Sequence, residues 1–386
     1  MSSPRPETIA MIERLIAFDT TSRNSNLELI EFVQNYLKDL GVESELVHNE
    51  DQSKANLYAT LGPDDHGGIA LSGHTDVVPV DGQRWGSDPF KLQRRDGQLF
   101  GRGTSDMKSF IAVCLALAPE YLKQASKTPL HFAFSYDEEI GCLGVRSLIN
   151  RLSSREVKPK ACIIGEPTMM KVVRAHKGKL SYSCQVTGLE SHSGMAHLGV
   201  NAVEAAAEVI AYLKSMARRF RDHGPFDPEM SPPYTTVHTG VVRGGTQLNI
   251  VPRSCEFEFE FRHLPQDNPV ALLKETQDFA ASLLPEMHAV SVNSGFHWER
   301  QSHIPELDTR EDSEVVQLAK SLTGANATAK VSFGTEAGLF EQGGMPAVVC
   351  GPGSIEQAHK PDEFIALDQV AQCERFLLRL FDHCLR

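Results

Sequence analysis

The sequence predicts an α/β protein: a domain with a largely parallel central sheet, interrupted by a smaller inserted α+β domain. Three observations carry this. At 386 residues the chain exceeds one ordinary hydrophobic core, so two domains are expected. Short continuous apolar runs alternate with helical patterns in the first half, as in βαβ units. From about Lys179 the texture changes to a β-α-β-β-α-β order, the split-βαβ or ferredoxin-like arrangement.

The elements follow in chain order. Ser25-Asn-Leu-Glu28 has capping-box spacing, and apolar residues recur through Leu29, Ile30, Val33, Tyr36, Leu37 and Leu40 until Gly41 ends the helix. The runs Gly68 to Gly73, Leu130 to Tyr136, Ala161 to Gly165 and Ala347 to Cys350 read as buried strands, with a helix from about Ser109 between the first two. In the insert, a strand from Leu180 to Val186 precedes a helix starting near Asn201 with Val203, Ala206, Ile210, Leu213, Ala217 and Phe220 on one stripe. Strands at Thr235 to Val242 and Cys255 to Arg262 come next. Asn268-Pro269 then opens a second helix, Asn as N-cap and Pro at the first helical position. A last strand is expected near His288 to Val292. The boundaries are thus 1–178 and 298–386 for the larger domain and 179–297 for the insert.

Composition excludes several classes of function. The chain is 41% hydrophobic and 23% charged, and a net charge of −12 argues against nucleic acid or an anionic membrane as partner. No apolar run is long enough to span a bilayer, and Met1 to Ala10 lack a signal-peptide core. The eight cysteines, from Cys114 to Cys384, contain no Cys-x-x-Cys pair. They read as reduced buried thiols, so a cytoplasmic protein is expected. Gly101-Arg-Gly lacks the pattern of a dinucleotide or P-loop turn.

The chemistry lies in where carboxylates and histidines fall. Ser72-Gly-His74-Thr-Asp76-Val-Val-Pro79 begins at the end of one strand, Asp137-Glu138-Glu139 follows another, and Gly165-Glu166-Pro167 ends a third. Open α/β sheets bind ligands at the carboxyl ends of their strands, so these side chains converge on one rim. Asp106 precedes a helix, and His359 lies in a Gly/Pro-rich loop after the last strand. Histidine and carboxylate suit Zn²⁺, and Asp106 can bridge two ions. Glu138 and Glu139 point opposite ways in extended backbone, which allows one ligand and one general base. Asp76, two residues from His74, can accept its second ring N–H. Taken singly, each has a plain alternative: Asp106 as helix cap, the acidic run as solvated turn. The conjunction on one rim argues otherwise.

Ser-Gly-His-Thr-Asp-Val-Val-Pro, Gly101-Arg-Gly-Thr-Ser-Asp106-Met-Lys108 and Asp-Glu-Glu together resemble the dinuclear-zinc deacylase and metallopeptidase family that includes acetylornithine deacetylase, succinyl-diaminopimelate desuccinylase and carboxypeptidase G. The resemblance implies a zinc-peptidase-like catalytic domain with an inserted lid and dimerisation domain, and a homodimer. It implies two Zn²⁺ per subunit, with Co²⁺ as a substitute. His74, Asp106 and Glu166 would hold one ion and Asp106, Glu139 and His359 the other, with Asp76 as supporting acid and Glu138 as general base. Ser191-His192-Ser193-Gly194 resembles the segment whose histidine reaches the partner's active site as an oxyanion donor.

Asn249, in Thr246-Gln-Leu-Asn249, and Arg262 resemble residues that hold the substrate carboxylate. Arg262 shares parity with Glu256, Glu258 and Glu260, so an Arg–Glu surface pair is its plain alternative. Phe333-Gly-Thr335-Glu336-Ala-Gly338 and Gly351 to Glu363 resemble the acetylornithine deacetylases, which ranks N-acetylornithine first and arginine biosynthesis as the setting. Glu336 would pair with the ornithine δ-ammonium, its alternative being an exposed loop residue. Desuccinylation, or a broader N-acyl-amino-acid deacylation, is the runner-up. A silent metal-binding regulatory protein would lack a ligand or the base, and none is missing.

Overall fold

The computed structural model describes residues 3–385. The chain divides into two compact units. The first takes in residues up to Ala175, Leu307–Lys330 and those from Thr335 on; the second comprises His176–Glu306 and Val331–Gly334.

The first unit is built on a nine-stranded sheet whose centre is parallel. Ile69–His74 lies between Leu130–Ser135 and Ala161–Pro167, and Ala347–Gly351 pairs parallel to Ala161–Pro167. All four strands are buried along their whole length, as the unbroken apolar runs predict. Antiparallel strands Ser44–His48 and Ala55–Leu61 extend one edge. Helix Lys108–Leu122 packs on the sheet and is buried almost all round, with Phe110, Ile111, Val113 and Leu117 in one core with Leu71, Phe132 and Ile163. Burial of each such side chain contributes about 1.5–3 kcal/mol. The packing leaves no room for a side chain at Gly165: a Cβ there would sit 2.0 Å from the Phe110 ring.

The helix expected from Ser25 starts at Leu27 and ends at Asp39, with Gly41 at φ 79° just beyond it. Its capping box does not form. Asn26 takes the N-cap position, and its side chain is committed to Ala55 and Thr75, so tertiary bonds displace the local cap.

In the second unit the strands run in the order Thr236–Gly244, Ser254–His263, Gly178–Thr187, Gly295–Ile304, every neighbour antiparallel. Helices Ala202–His223 and Pro269–Val290 connect them, giving the β-α-β-β-α-β order. Both N-caps form as read: Asn201 accepts from Val203 and Glu204, and Asn268 from Val270 and Ala271. In Ser254–His263 the phenylalanines are buried and the glutamates are not. The first helix buries Ala205, Val209 and Met216 where Val203, Ile210 and Ala217 were expected, so the stripe is rotated slightly.

The last strand is a correction. His288–Val290 belongs to the second helix, and the strand begins at Gly295. It pairs on one side only, with Gly178–Thr187, and four of its ten residues are polar and exposed, which hides it from an apolar-run search. The compact unit consequently runs to Glu306 rather than 297.

Candidate metal centre

Five candidate ligands and the candidate base lie together in the first unit. His74 is the last residue of its strand, Glu166 the penultimate residue of the next, and Glu138 and Glu139 follow Leu130–Ser135. His74 Nε2 lies 3.0 Å from Asp106 Oδ1 and 3.5 Å from Glu166 Oε1. His359 Nε2 lies 3.3 Å from Asp106 Oδ2 and 3.0 Å from Glu139 Oε2. The two oxygens of Asp106 thus face two different imidazoles. Donor atoms of His74, Asp106 and Glu139 fall within 4.8 Å of one another, as do those of His74, Glu138 and Glu166. Asp137 and His359 hold left-handed backbone, φ 55° and 64°, a conformation costing about 1–3 kcal/mol that fixed surroundings must offset.

The surrounding bonds are of that kind. The Asp76 carboxylate accepts the backbone N–H groups of Glu138 at 3.1 Å and Glu139 at 3.3 Å, and the Ser22 hydroxyl at 2.7 Å. His74 Nδ1 faces the Asp76 carbonyl at 2.9 Å and its carboxylate only at 3.5 Å. The second ring nitrogen therefore goes first to backbone, and the Asp76 side chain positions the acidic turn. Lys54 Nζ, 2.5 Å from Asp137 Oδ1, also donates to the Ser22 carbonyl. The Cys142 thiol donates to Glu138 Oε1 at 3.3 Å. Glu363, buried, accepts from Ser105 N, Asp106 N, Gly103 N and Arg102 Nη1 at 2.8–3.0 Å and holds the Asp106 loop. Sequence reasoning assigned no role to Ser22, Lys54, Cys142 or Glu363. The first two lie far away in sequence, and only the last stood inside a recognised segment.

Burial sets the electrostatics. It pushes the Glu138 and Glu166 carboxyls well above the usual range, and neighbouring carboxylates add to the effect. Glu139 is raised to about 7 by burial and by Asp106. Burial opposes the charge on Asp106, yet hydrogen bonds from His359 and His74 hold its pKa low. His359 is raised to about 10 by its bonds to Asp106 and Glu139. Buried carboxylates crowded around two imidazoles fit a divalent cation pair, because cations relieve the repulsion that otherwise forces protons onto the acids. Nitrogen and oxygen donors without thiolate suit zinc-like ions.

The remaining candidates separate. Thr335 and Glu336 belong to the first unit and are both about 1% exposed. Glu336 is not an exposed loop residue: Ser72 donates to its Oε2 at 3.3 Å and Ser135 to its Oε1. Burial raises its pKa to about 7. His192, Asn249 and Arg262 belong to the second unit. There His192 bridges to Ile250, and Ser193 N donates to the Asn249 carbonyl at 3.0 Å, which brings those two sequence segments together. Arg262 Nε donates to Glu260 at 3.0 Å, the surface pair that its parity allows.

Residues 70–383 match the family model described as peptidase family M20/M25/M40. The chain is 35% identical over 385 residues to the acetylornithine deacetylase of Pasteurella multocida, spanning 97% of each chain. It is 34% identical to that of Myxococcus xanthus, spanning 99% of each. Among solved structures, the M20 metallo-carboxypeptidase Sso-CP2 of Sulfolobus solfataricus superposes with a TM-score of 0.77 at 17% identity over 99% of both chains. The Bacillus subtilis YXEP protein, a dinuclear metal binding peptidase, gives 0.69 at 15% identity over 98% of this chain and 97% of its own. Matching family, full-length relatives and shared fold agree: this chain is a hydrolase belonging to peptidase family M20/M25/M40.

Proposed function

We propose that this hydrolase removes the acetyl group of N2-acetyl-L-ornithine, giving ornithine and acetate for arginine biosynthesis. The observation that carries the reading is Asp106, whose oxygens face His74 at 3.0 Å and His359 at 3.3 Å. Two cations about 3.5–4 Å apart need such a shared carboxylate. The deacetylases that match nearly the full chain support the substrate. In this reading His74, Asp106 and Glu166 would hold one Zn²⁺, and Asp106, Glu139 and His359 the other, with Co²⁺ able to substitute.

Bound zinc would supply Lewis acidity for the scissile carbonyl and a lowered pKa for the attacking water. Glu138 takes the proton of that water as its oxygen adds to the carbonyl carbon. The same proton passes to the departing α-nitrogen as the C–N bond breaks, releasing ornithine and acetate. Asp76 and Cys142 keep the base in place. His192 of the second unit, acting from the partner of a homodimer, stabilises the oxyanion. Asn249 and Arg262 are the candidates for the substrate α-carboxylate, and Thr335 is a further candidate for substrate binding. The exposed Leu189, Met195, Leu198 and Leu248 of the second unit support an interface between copies. Eight buried, unbridged cysteines support a cytoplasmic setting, and no helix among the described residues is long and apolar enough to cross a membrane.

The test is a kcat/KM survey of the zinc-loaded protein with N-acetylornithine, N-acetylmethionine and N-succinyl-diaminopimelate. The reading expects N-acetylornithine to lead by about 10²-fold. A lead for the succinyl compound would reassign the substrate while leaving the metal chemistry intact.

A further inference from the structure

Glu336 is a buried carboxylate that the mechanism above does not use. Ser72 and His74 stand two apart on one strand and so share a face of the sheet. Ser135 is the register partner of His74 on the neighbouring strand and shares that face too. Glu336 spans both serines, so its carboxylate lies against the sheet face from which the His74 imidazole projects. It stands at the start of helix Ala337–Gln342, yet its oxygens cap nothing there. No Lys or Arg among the described residues pairs with it. Isolated charges are seldom buried without a compensating partner. The groups close enough to interact with it electrostatically include His74, Asp76 and Glu138, all of the metal centre.

We propose that Glu336 is a positioning residue and built-in counter-charge of the metal centre: it ties the ends of the two strands beside His74 and adds attraction for divalent cations, without touching substrate. The proposal rests on the dinuclear reading above. It explains a fully buried acid with no protein cation: the missing partner is the metal pair. It also removes Glu336 from substrate recognition, so selectivity for the ornithine side chain must come from elsewhere in the pocket.

The experiment is Zn²⁺ titration of the chelator-treated full-length protein against a competing metallochromic dye, for wild type, Glu336→Gln and Glu336→Asp. Glutamine fills the same space and can bond both serines, but carries no charge. Its Zn²⁺ dissociation constant should rise by about tenfold or more, because a buried charge is weakly screened. Its KM for N-acetylornithine should stay within about threefold of wild type. Glu336→Asp keeps the charge but draws back from the serines, so its affinity should stay within about threefold of wild type while kcat drops. If Glu336→Gln fails to fold, Glu336→Asp decides: an affinity loss of about tenfold there would overturn the counter-charge role. Unchanged Zn²⁺ affinity in Glu336→Gln would overturn the proposal outright. So would a KM raised for N-acetylornithine but not for N-acetylmethionine, which would put Glu336 against the substrate ammonium. A wild-type protein that binds no Zn²⁺ would instead remove the dinuclear reading, and the proposal with it.

Discussion

Replacing Glu363 by glutamine changes one atom in the loop that carries Asp106, and the structure sets the size of the effect. One carboxylate oxygen accepts Ser105 N and Asp106 N at 2.8 and 3.0 Å; the other accepts Arg102 Nη1 at 2.8 Å and Gly103 N at 3.0 Å. Glutamine keeps an acceptor for one pair and turns a donor toward the other. Arg102, 1% exposed, then faces an amide instead of its countercharge, and its Nε already has no partner. Breaking a buried ion pair from one side costs about 3–5 kcal/mol. Against a typical stability of about 5–15 kcal/mol, the variant should fold but be marginal. Trp85 gives a local probe, because its ring lies 5.1 Å from the Arg102 guanidinium. In a Trp298→Phe background, denaturation followed by Trp85 fluorescence should show the loss, and the folded variant should bind less metal because Asp106 is no longer held. Unchanged unfolding and full metal content would refute the view that Glu363 builds the Asp106 loop.

Other outcomes follow from the same geometry. Glu138→Gln should keep its metal and lose about 10²–10⁴-fold in kcat, whereas Glu139→Gln should lose metal as well; elemental analysis beside steady-state kinetics separates them. Lys54→Met should lower kcat with little change in KM, since it frees the strained Asp137 turn next to the base, and Lys54→Arg should recover part of the loss. In the metal-free protein the acids and the imidazole of the centre should contribute less stability as pH rises. Glu139 and Glu336, raised to about 7, favour the folded state while protonated and lose that advantage above the ordinary Glu value of 4.5. His359, raised to about 10, contributes fully below its ordinary 6.5 and ceases to above pH 10. Lys108 and Lys177, lowered by burial to about 7 and 8, act in the opposite sense, so the readout is the melting temperature of the wild type minus that of His359→Gln: it should shrink from pH 6 to pH 10, and a difference that grows would contradict the assignment.

Much of the centre was legible because its residues sit at strand ends. An apolar run locates a buried parallel strand, and the residue after it faces the ligand rim; that logic finds His74, Glu138, Glu139 and Glu166 without coordinates. It fails where chemistry comes from distant sequence. Ser22, Lys54 and Glu363 hold the centre through bonds between residues 54 to 261 positions apart; no local pattern marks the first two, and the segment that contains Glu363 does not disclose its role. The surroundings of Glu336 were hidden for a related reason: a Gly-Thr-Glu-Ala-Gly segment allows an exposed loop, whereas the carboxylate turns inward onto two serines from other strands. The half-exposed strand Gly295–Ile304 escaped because a one-sided edge strand needs no apolar run.

The central claim is metal-dependent amide hydrolysis at a site where Asp106 would be shared between two cations. It is tested most directly by titrating the chelator-treated protein with Zn²⁺ while following bound metal and ornithine release from N-acetylornithine together. The account predicts no turnover without metal, ornithine release that grows with metal binding, and saturation near two ions per chain. Full turnover in the metal-free protein, or saturated metal with no ornithine formed, would contradict it.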